Sequence, residues 1–121
     1  MKIEEYDSVK KWFAYRPYTD KTKKLHVRYM KIFCSLTNKT PDELVSVKTL
    51  EAGDDLRGII GSGMRHKLKL GTTSIELRLN ALNQFFRANG VPVKDTYGGI
   101  EKHDANLSKD IRRLVQLKLK P

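Results

Sequence analysis

Apolar residues recur at steps of three and four along most of the chain, which is the spacing of one face of an α-helix. Strand-like alternation is nearly absent before the last few residues. A first short helix is predicted from about Ile3 or Asp7 to Tyr15. It ends at Arg16-Pro17, because the residue before a proline avoids the helical region. Its inward-facing residues are predicted to be Tyr6, Val9, Trp12 and Phe13.

The second predicted helix begins at Thr19 or Asp20, either of which can cap a helix, and ends near Leu36. Its apolar face consists of Leu25, Tyr29, Ile32, Phe33 and Leu36. Four cations recur at the same steps and form a basic stripe beside that face: Lys21, Lys24, Arg28 and Lys31. The turn after this helix is placed at Asn38-Lys39.

Two further helices are predicted between residues 40 and 64. Thr40-Pro41-Asp42-Glu43 is a capping box with proline at the first helical position, which indicates a short helix through Val45 or Ser46. A longer helix begins near Thr49 to Asp54 and carries Leu50, Leu56, Ile59, Ile60 and Met64 inward. Four glycines weaken it, and Gly61-Ser62-Gly63 is interpreted as a flexible helix end. Residues 65–70 are predicted to form a basic connector.

The clearest helical pattern begins at Thr73, where Thr73-Ser74-Ile75-Glu76 forms a second capping box. Its apolar face is predicted to be Ile75, Leu79, Leu82, Phe85 and Phe86. Asn89-Gly90 ends this helix before Pro92. Residues 91–104 then have the composition of a linker or extended arm, and a last helix is predicted from Asn106 or Ser108. Residues 115–120 alternate with period two, so that this end is compatible with helix or strand.

These elements predict an all-α fold, a compact orthogonal bundle of four to five helices with a C-terminal linker or extra helix. Residues 1–92 form the helical domain in this interpretation, and residues 93–121 form a linker or arm. The length of 121 residues suits a single core, and the 39% hydrophobic and 31% charged composition is that of a folding chain. The Leu-rich end at residues 114–119 suggests that the natural protein continues into a further domain.

The charge balance points to a polyanionic partner. The chain has 24 Lys and Arg against 14 Asp and Glu, a formal net charge of +10. The single Cys34 cannot form an internal disulfide, and the three His do not have the spacing of zinc ligands. No cofactor is expected. Without a signal peptide or membrane-spanning run, the sequence predicts a cytoplasmic protein that makes no membrane contact.

The charge is distributed in blocks. Residues 16–31 have a net charge of +5 and residues 57–87 also have +5, whereas residues 40–56 have −4. An acidic block between two basic blocks predicts a molecule with one positive face, which would orient it on a phosphate backbone.

The order of these helices resembles a known domain. A basic helix with Tyr29, Ile32 and Phe33 is followed by the box at residues 40–43, by Asp55-Leu56 and Ile59-Ile60, and then by residues 73–86 and Asn89-Gly90-Val91. From about Thr19 to Val91, roughly three fifths of the chain, the pattern resembles the N-terminal core-binding (SAM-like) domain of tyrosine recombinases and phage integrases.

The resemblance implies a DNA-binding function in site-specific recombination or integration. Such a domain lies on one side of duplex DNA, with two helices against it, while a separate catalytic domain closes from the other side. Self-association on DNA would then be a property of the full-length recombinase. That catalytic domain needs a nucleophilic Tyr and a His-x-x-Arg motif, and no His in this chain is followed three residues later by Arg. This chain is therefore expected to bind DNA without being an enzyme.

In this chain the second helix and the helix that begins at Thr73 match the two DNA-contacting helices of that domain. The candidate DNA-binding residues lie on these two helices and on the connector. They are Lys21, Lys24, Arg28, Lys31, Arg65, Lys67, Lys69, Thr72, Thr73, Ser74, Arg78, Asn80, Asn83, Gln84 and Arg87. The stripe suits a row of phosphates, and the hydroxyls at residues 72–74 suit a phosphate at a helix N-terminus. Asn80, Asn83, Gln84 and Arg87 are placed away from the apolar face, where they could reach base edges. The alternative function is a helical module that binds protein or RNA.

Overall fold

The computed structural model describes residues 2–94, and this part of the chain is all-helical. A 3-10 turn at Ile3–Glu5 precedes five α-helices: α1 (Asp7–Tyr15), α2 (Asp20–Thr37), α3 (Pro41–Leu44), α4 (Leu50–His66) and α5 (Thr72–Ala88). The predicted fold class is confirmed. Residues 95–121, which include the predicted last helix, lie outside the described residues.

Threonine caps begin three of the helices, as the sequence indicates for two of them. The Thr19 side chain accepts a hydrogen bond from the backbone N–H of Thr22, and Thr49 accepts one from Ala52. Thr40 and Glu43 bond each other's backbone N–H in the predicted capping box. Each cap satisfies an N–H group that has no partner within its helix.

Helices α2, α4 and α5 pack on one another, and α1 lies against α5 and α3. The centre of the core is fully buried, and all five helices contribute side chains to it, α3 through Pro41 and Leu44. Its largest members are Trp12, Met30, Phe33, Ile60, Met64, Leu82, Phe85 and Phe86. One apolar core therefore holds the bundle together.

Gly63 allows α4 to lie close to α2. A Cβ atom at this position would lie 2.8 Å from the Leu36 Cδ2 atom, closer than real Cβ contacts. Gly61 and Gly63 are inside α4, so that the interpretation of this segment as a flexible helix end is wrong. The glycine is used for close helix packing instead.

Several helix boundaries, and the exposure of several side chains, differ from the prediction. α4 continues through His66, so that Arg65 belongs to the helix and the connector begins at Lys67. α5 begins at Thr72 with Gly71 as its N-cap, and no side chain caps it, so that the predicted capping box at Thr73 is wrong. Three residues predicted to face inward are exposed, because they lie at the edges of their apolar stripes: Leu25, Leu50 and Ile59.

The chain folds back on the core after α5. Gly90 has a φ of 77°, which ends the helix in a conformation that glycine adopts without steric cost. Val91 is then buried, and Val93 packs against the core. The first residues of the predicted linker are thus part of the helical domain.

An aromatic cluster surrounds His26, a residue that the apolar pattern did not place in the core. The imidazole stacks on Trp12 with ring centroids 4.4 Å apart, and the Tyr18 ring meets it edge-on at 4.7 Å. His26 is 7% exposed, and burial lowers its pKa below the usual value of 6.5. The folded protein therefore favours the neutral imidazole.

The two helical glycines Gly58 and Gly63 should respond differently to alanine. A Cβ at Gly58 meets open space, so that Gly58→Ala should stabilise the fold by about 0.5–1 kcal/mol. Gly63→Ala forces Leu36 to move and should be less stable than Gly58→Ala by about 1 kcal/mol or more. Urea unfolding measures both variants. Equal gains from the two substitutions would contradict a close contact at Gly63.

Burial of neutral His26 makes stability depend on pH. Since the pKa of His26 is lower in the folded state, the unfolded chain binds more protons as the pH falls below about 6.5. The contribution of His26 is complete above that pH and is lost as the pH falls towards the folded pKa. Unfolding free energies at about pH 7.5 and about pH 5 should differ less in His26→Phe than in the wild type. The His66→Gln variant is the control for the loss of an exposed histidine.

Candidate nucleic-acid interface

The basic stripe of α2 faces solvent. Lys21, Lys24, Arg28 and Lys31 are all exposed, while Tyr29, Met30 and Phe33 face the core. Ser35 is exposed four residues after Lys31 and extends the stripe by one turn. The predicted row of cations therefore forms one continuous face about three turns long.

The connector between α4 and α5 lies beside the C-terminal half of this stripe. Leu68 shares a shallow pocket with Lys31, Ile32, Ser35 and Leu36 of α2. The exposed Lys67 and Lys69 flank Leu68 in the chain. The two basic blocks of the sequence thus meet at one place on the surface.

The end of α4 and the start of α5 extend this region. The Arg65 Nη2 atom donates a hydrogen bond of 3.4 Å to the Thr72 hydroxyl. Thr72 and Thr73 are exposed and Ser74 is half-buried, in the first turn of α5. Lys69 has a φ of 58°, which turns the connector just before this helix. Hydroxyls and uncapped N–H groups there can donate hydrogen bonds to an anion.

These positions define what we call the basic surface. It consists of Lys21, Lys24, Arg28, Lys31, Arg65, Lys67 and Lys69, with Thr72 and Thr73 at its edge.

Arg78 joins α5 to α2 instead of extending into solvent. Its Nη1 atom donates to the Ser74 carbonyl oxygen at 3.1 Å, and its guanidinium lies 4.8 Å from the centroid of the Tyr29 ring. The side chain is half-buried, as expected for a residue at the edge of the apolar face. The cation–π contact holds Arg78 against α2, and the hydrogen bond is made within α5.

The structure separates the four α5 residues that were placed away from the apolar face. Asn80 is exposed, but Asn83 is only 6% exposed, so that its placement on the outer face is wrong. Gln84 is half-buried and its Oε1 atom accepts a 2.7 Å hydrogen bond from the Tyr18 hydroxyl. Ala81, Leu82 and Asn83 are all buried, so that the buried face of α5 is wider than its apolar stripe.

Arg87 is half-buried near Arg57, on the side of α5 that meets α4. Arg57 forms an ion pair with Asp54, three residues earlier, and Lys94 lies 3.7 Å from the same carboxylate. Burial and then the charge of Arg87 lower the pKa of Arg57. Part of the second basic block is therefore neutralised within the fold and does not contribute to the basic surface.

Comparison with known proteins leaves the family open. No family model, curated protein or solved structure matches this chain. The resemblance to recombinase core-binding domains consequently stands on the helix order and spacing alone.

Residues 2–94 were also considered for a metal site, a membrane-spanning helix and a reactive thiol. No group of His, Cys, Asp and Glu in this part of the chain could hold a metal ion, and none of its helices is long and apolar enough to cross a membrane. Cys34 is half-buried, and burial, followed by the charge of Glu43, raises the pKa of its thiol to about 11. That thiol is therefore protonated and unreactive at neutral pH.

Sequence reasoning missed three residues of the basic surface and its margin. Ser35 follows the four-residue step of the stripe and could have been found from it. Leu25 and Leu68 are 37% and 42% exposed beside the cations. Leu25 was assigned to the core because three- and four-residue steps do not show where an apolar face ends.

The hydrogen bond between Tyr18 and Gln84 should contribute measurably to stability. Tyr18→Phe leaves the half-buried Gln84 oxygen without this donor and should cost about 1 kcal/mol in unfolding free energy. Tyr15→Phe is the matched control, because Tyr15 is 43% exposed, and it should change stability by less than about 0.5 kcal/mol. Thermal or urea unfolding compares the two. Equal effects would show that the Gln84 contact is not formed in solution.

Proposed function

We propose that this chain is a helical DNA-binding domain that holds duplex DNA through its basic surface. The observation that carries the proposal is the packing of Leu68 beside Lys31 and Leu36, which joins the stripe of α2 to Lys67 and Lys69 of the connector. Two sets of cations that are more than thirty residues apart in sequence thereby act on the same polyanion.

The form of the surface suits phosphates better than base edges. Its cations are mostly lysines, which act as point charges, and Arg28 is the one guanidinium on the α2 stripe. An α-helix about 10–12 Å in diameter fits a major groove that is about 12 Å wide. With α2 against the groove, its stripe would contact one strand, and the connector would reach the neighbouring phosphates.

Fewer residues are available for base recognition in this proposal than the sequence suggested. Asn83 is buried and Gln84 is bound to Tyr18, so that Asn80 is the one exposed residue among the four of α5 that were placed toward base edges. Arg78 supports the position of α5 against α2. Affinity would come chiefly from α2 and the connector, and α5 would add a small sequence preference.

The resemblance suggests the wider role. A core-binding domain of a tyrosine recombinase would grip recombination-site DNA while a separate catalytic domain cuts it. The coding sequence downstream of residue 121 tests this role: an Arg, a Lys, a His-x-x-Arg motif and a late Tyr would support it, and their absence would contradict it.

A second candidate function is binding to an acidic protein. Leu25 and Leu68 are exposed within or beside the basic surface, and they would provide apolar contacts that phosphates cannot use. A partner with acidic and apolar residues on one helix face would match both features.

Removal of three cations tests the DNA proposal. The triple variant Lys24→Gln, Arg28→Gln, Lys67→Gln should bind duplex DNA roughly 100-fold more weakly at low salt, at about 1 kcal/mol for each contact. The slope of log K against log salt should also become less steep by up to about 2.7, since each lost phosphate contact contributes about 0.9. Fluorescence anisotropy with a labelled duplex measures both quantities.

The control variant also removes three positive charges, but from positions outside the basic surface. Lys10→Gln, Lys11→Gln, Lys48→Gln changes exposed lysines on α1 and before α4, and it should weaken binding by less than about 10-fold. Equal loss in the two triple variants would show that net charge alone causes the binding. Tighter binding to an acidic peptide than to duplex DNA or RNA would favour the second candidate function.

A further inference from the structure

An open groove runs along the solvent side of α4. It is lined by Asp54, Asp55, Gly58, Ile59, Ser62, Gly63, His66 and Lys67, with Leu36 of α2 at one edge. Ile59 is 51% exposed, one of the most exposed large apolar side chains in the described part of the protein. This apolar residue lies in the middle of the groove, and the DNA proposal does not use it.

The two ends of the groove carry opposite charge. Asp54 and Asp55 lie at the end nearer the start of α4, and His66 and Lys67 lie at the other end. Between them the lining is small or apolar. A Cβ atom at Gly58 would meet nothing within 4 Å, so that another backbone can approach closely there.

This arrangement is complementary to itself. We propose that α4 pairs with α4 of a second copy of the chain in an antiparallel, two-fold contact, which makes the protein a weak dimer in the absence of DNA. In that contact Asp55 faces His66 of the other copy. Ile59 faces Ser62, because both of these pairs are symmetric about the same midpoint of the helix.

The charge distribution of the chain favours this face over others. Each copy has a formal net charge of +10, so that most surfaces of two copies repel each other. The acidic block at residues 40–56 has a net charge of −4, and α4 begins within it. Antiparallel pairing brings this acidic start beside the basic end of the partner helix, and it also opposes the two helix dipoles favourably.

The size of the contact sets the expected strength. α4 has 17 residues and is about 25 Å long, and one pair of such helices buries less than the roughly 1,200 Å² of a stable interface. The dissociation constant should therefore be on the order of 100 μM.

Sedimentation equilibrium of the full chain without DNA, from about 10 μM to about 1 mM, measures this association. Ile59→Arg should raise the dissociation constant at least about 10-fold. Leu77→Arg is the matched control, because Leu77 is 55% exposed on α5, and it should leave the dissociation constant within about 3-fold. Circular dichroism verifies that both variants are folded.

Charge reversal tests the register. Asp55→Lys places a cation opposite His66 of the other copy and should weaken the dimer about 10-fold, and His66→Glu, which places a carboxylate opposite Asp55, should do the same. The double variant carries both reversals in each copy and should recover the wild-type dissociation constant within about 3-fold. Such recovery requires the two ends of α4 to meet across the contact.

Three results would overturn the proposal: a monomer up to about 1 mM, an equal effect of Leu77→Arg, or a double variant no stronger than the single ones. Capture of a foreign peptide in the groove by a chain that stays monomeric would overturn it as well. Because DNA is absent from every sample, the outcome is independent of the DNA-binding proposal.

Discussion

The close contact between α4 and α2 at Gly63 and Leu36 determines much of the remaining structure. Because no Cβ separates the helices there, α4 ends directly beside the C-terminal half of α2. The connector that follows has only five residues before α5 begins, so that Leu68 must lie against α2. The position of Lys67 and Lys69 beside Lys31 is thus a consequence of helix packing, in which Gly63 of α4 lies against the Leu36 side chain of α2.

Local signals in the sequence predicted the helices well, and the tertiary contacts explain where prediction failed. The box at Thr40 and the cap at Thr19 depend on neighbours within three residues, which a sequence shows directly. The close packing at Gly63 and the burial of Asn83 depend on tertiary contacts: a Cβ atom at Gly63 would meet the Leu36 side chain, and Asn83 is only 6% exposed. The exposed cations of α2 were predictable from their spacing, whereas the position of the connector beside them was not.

The distinction between local sequence signals and tertiary contacts also applies to the charged residues. A count over residues 57–87 treats Arg57 and Arg78 as equal to Lys67, but the fold uses them differently. Arg57 is paired with Asp54, and Arg78 lies over the Tyr29 ring. Cations that are bound within the protein help to fix its helices, and only those left in solvent are available to attract a polyanion.

The stacking of His26 on Trp12 has a practical consequence. Trp12 is the only tryptophan in the sequence, and it is fully buried between α1, α2 and α5. Its fluorescence therefore reports on one defined location in the core, without the overlapping signals of several indoles. An imidazole ring 4.4 Å away makes that emission sensitive to the protonation of a single neighbour. Trp12 is therefore an intrinsic fluorescent probe, and the unfolding of the core can be followed without an added label.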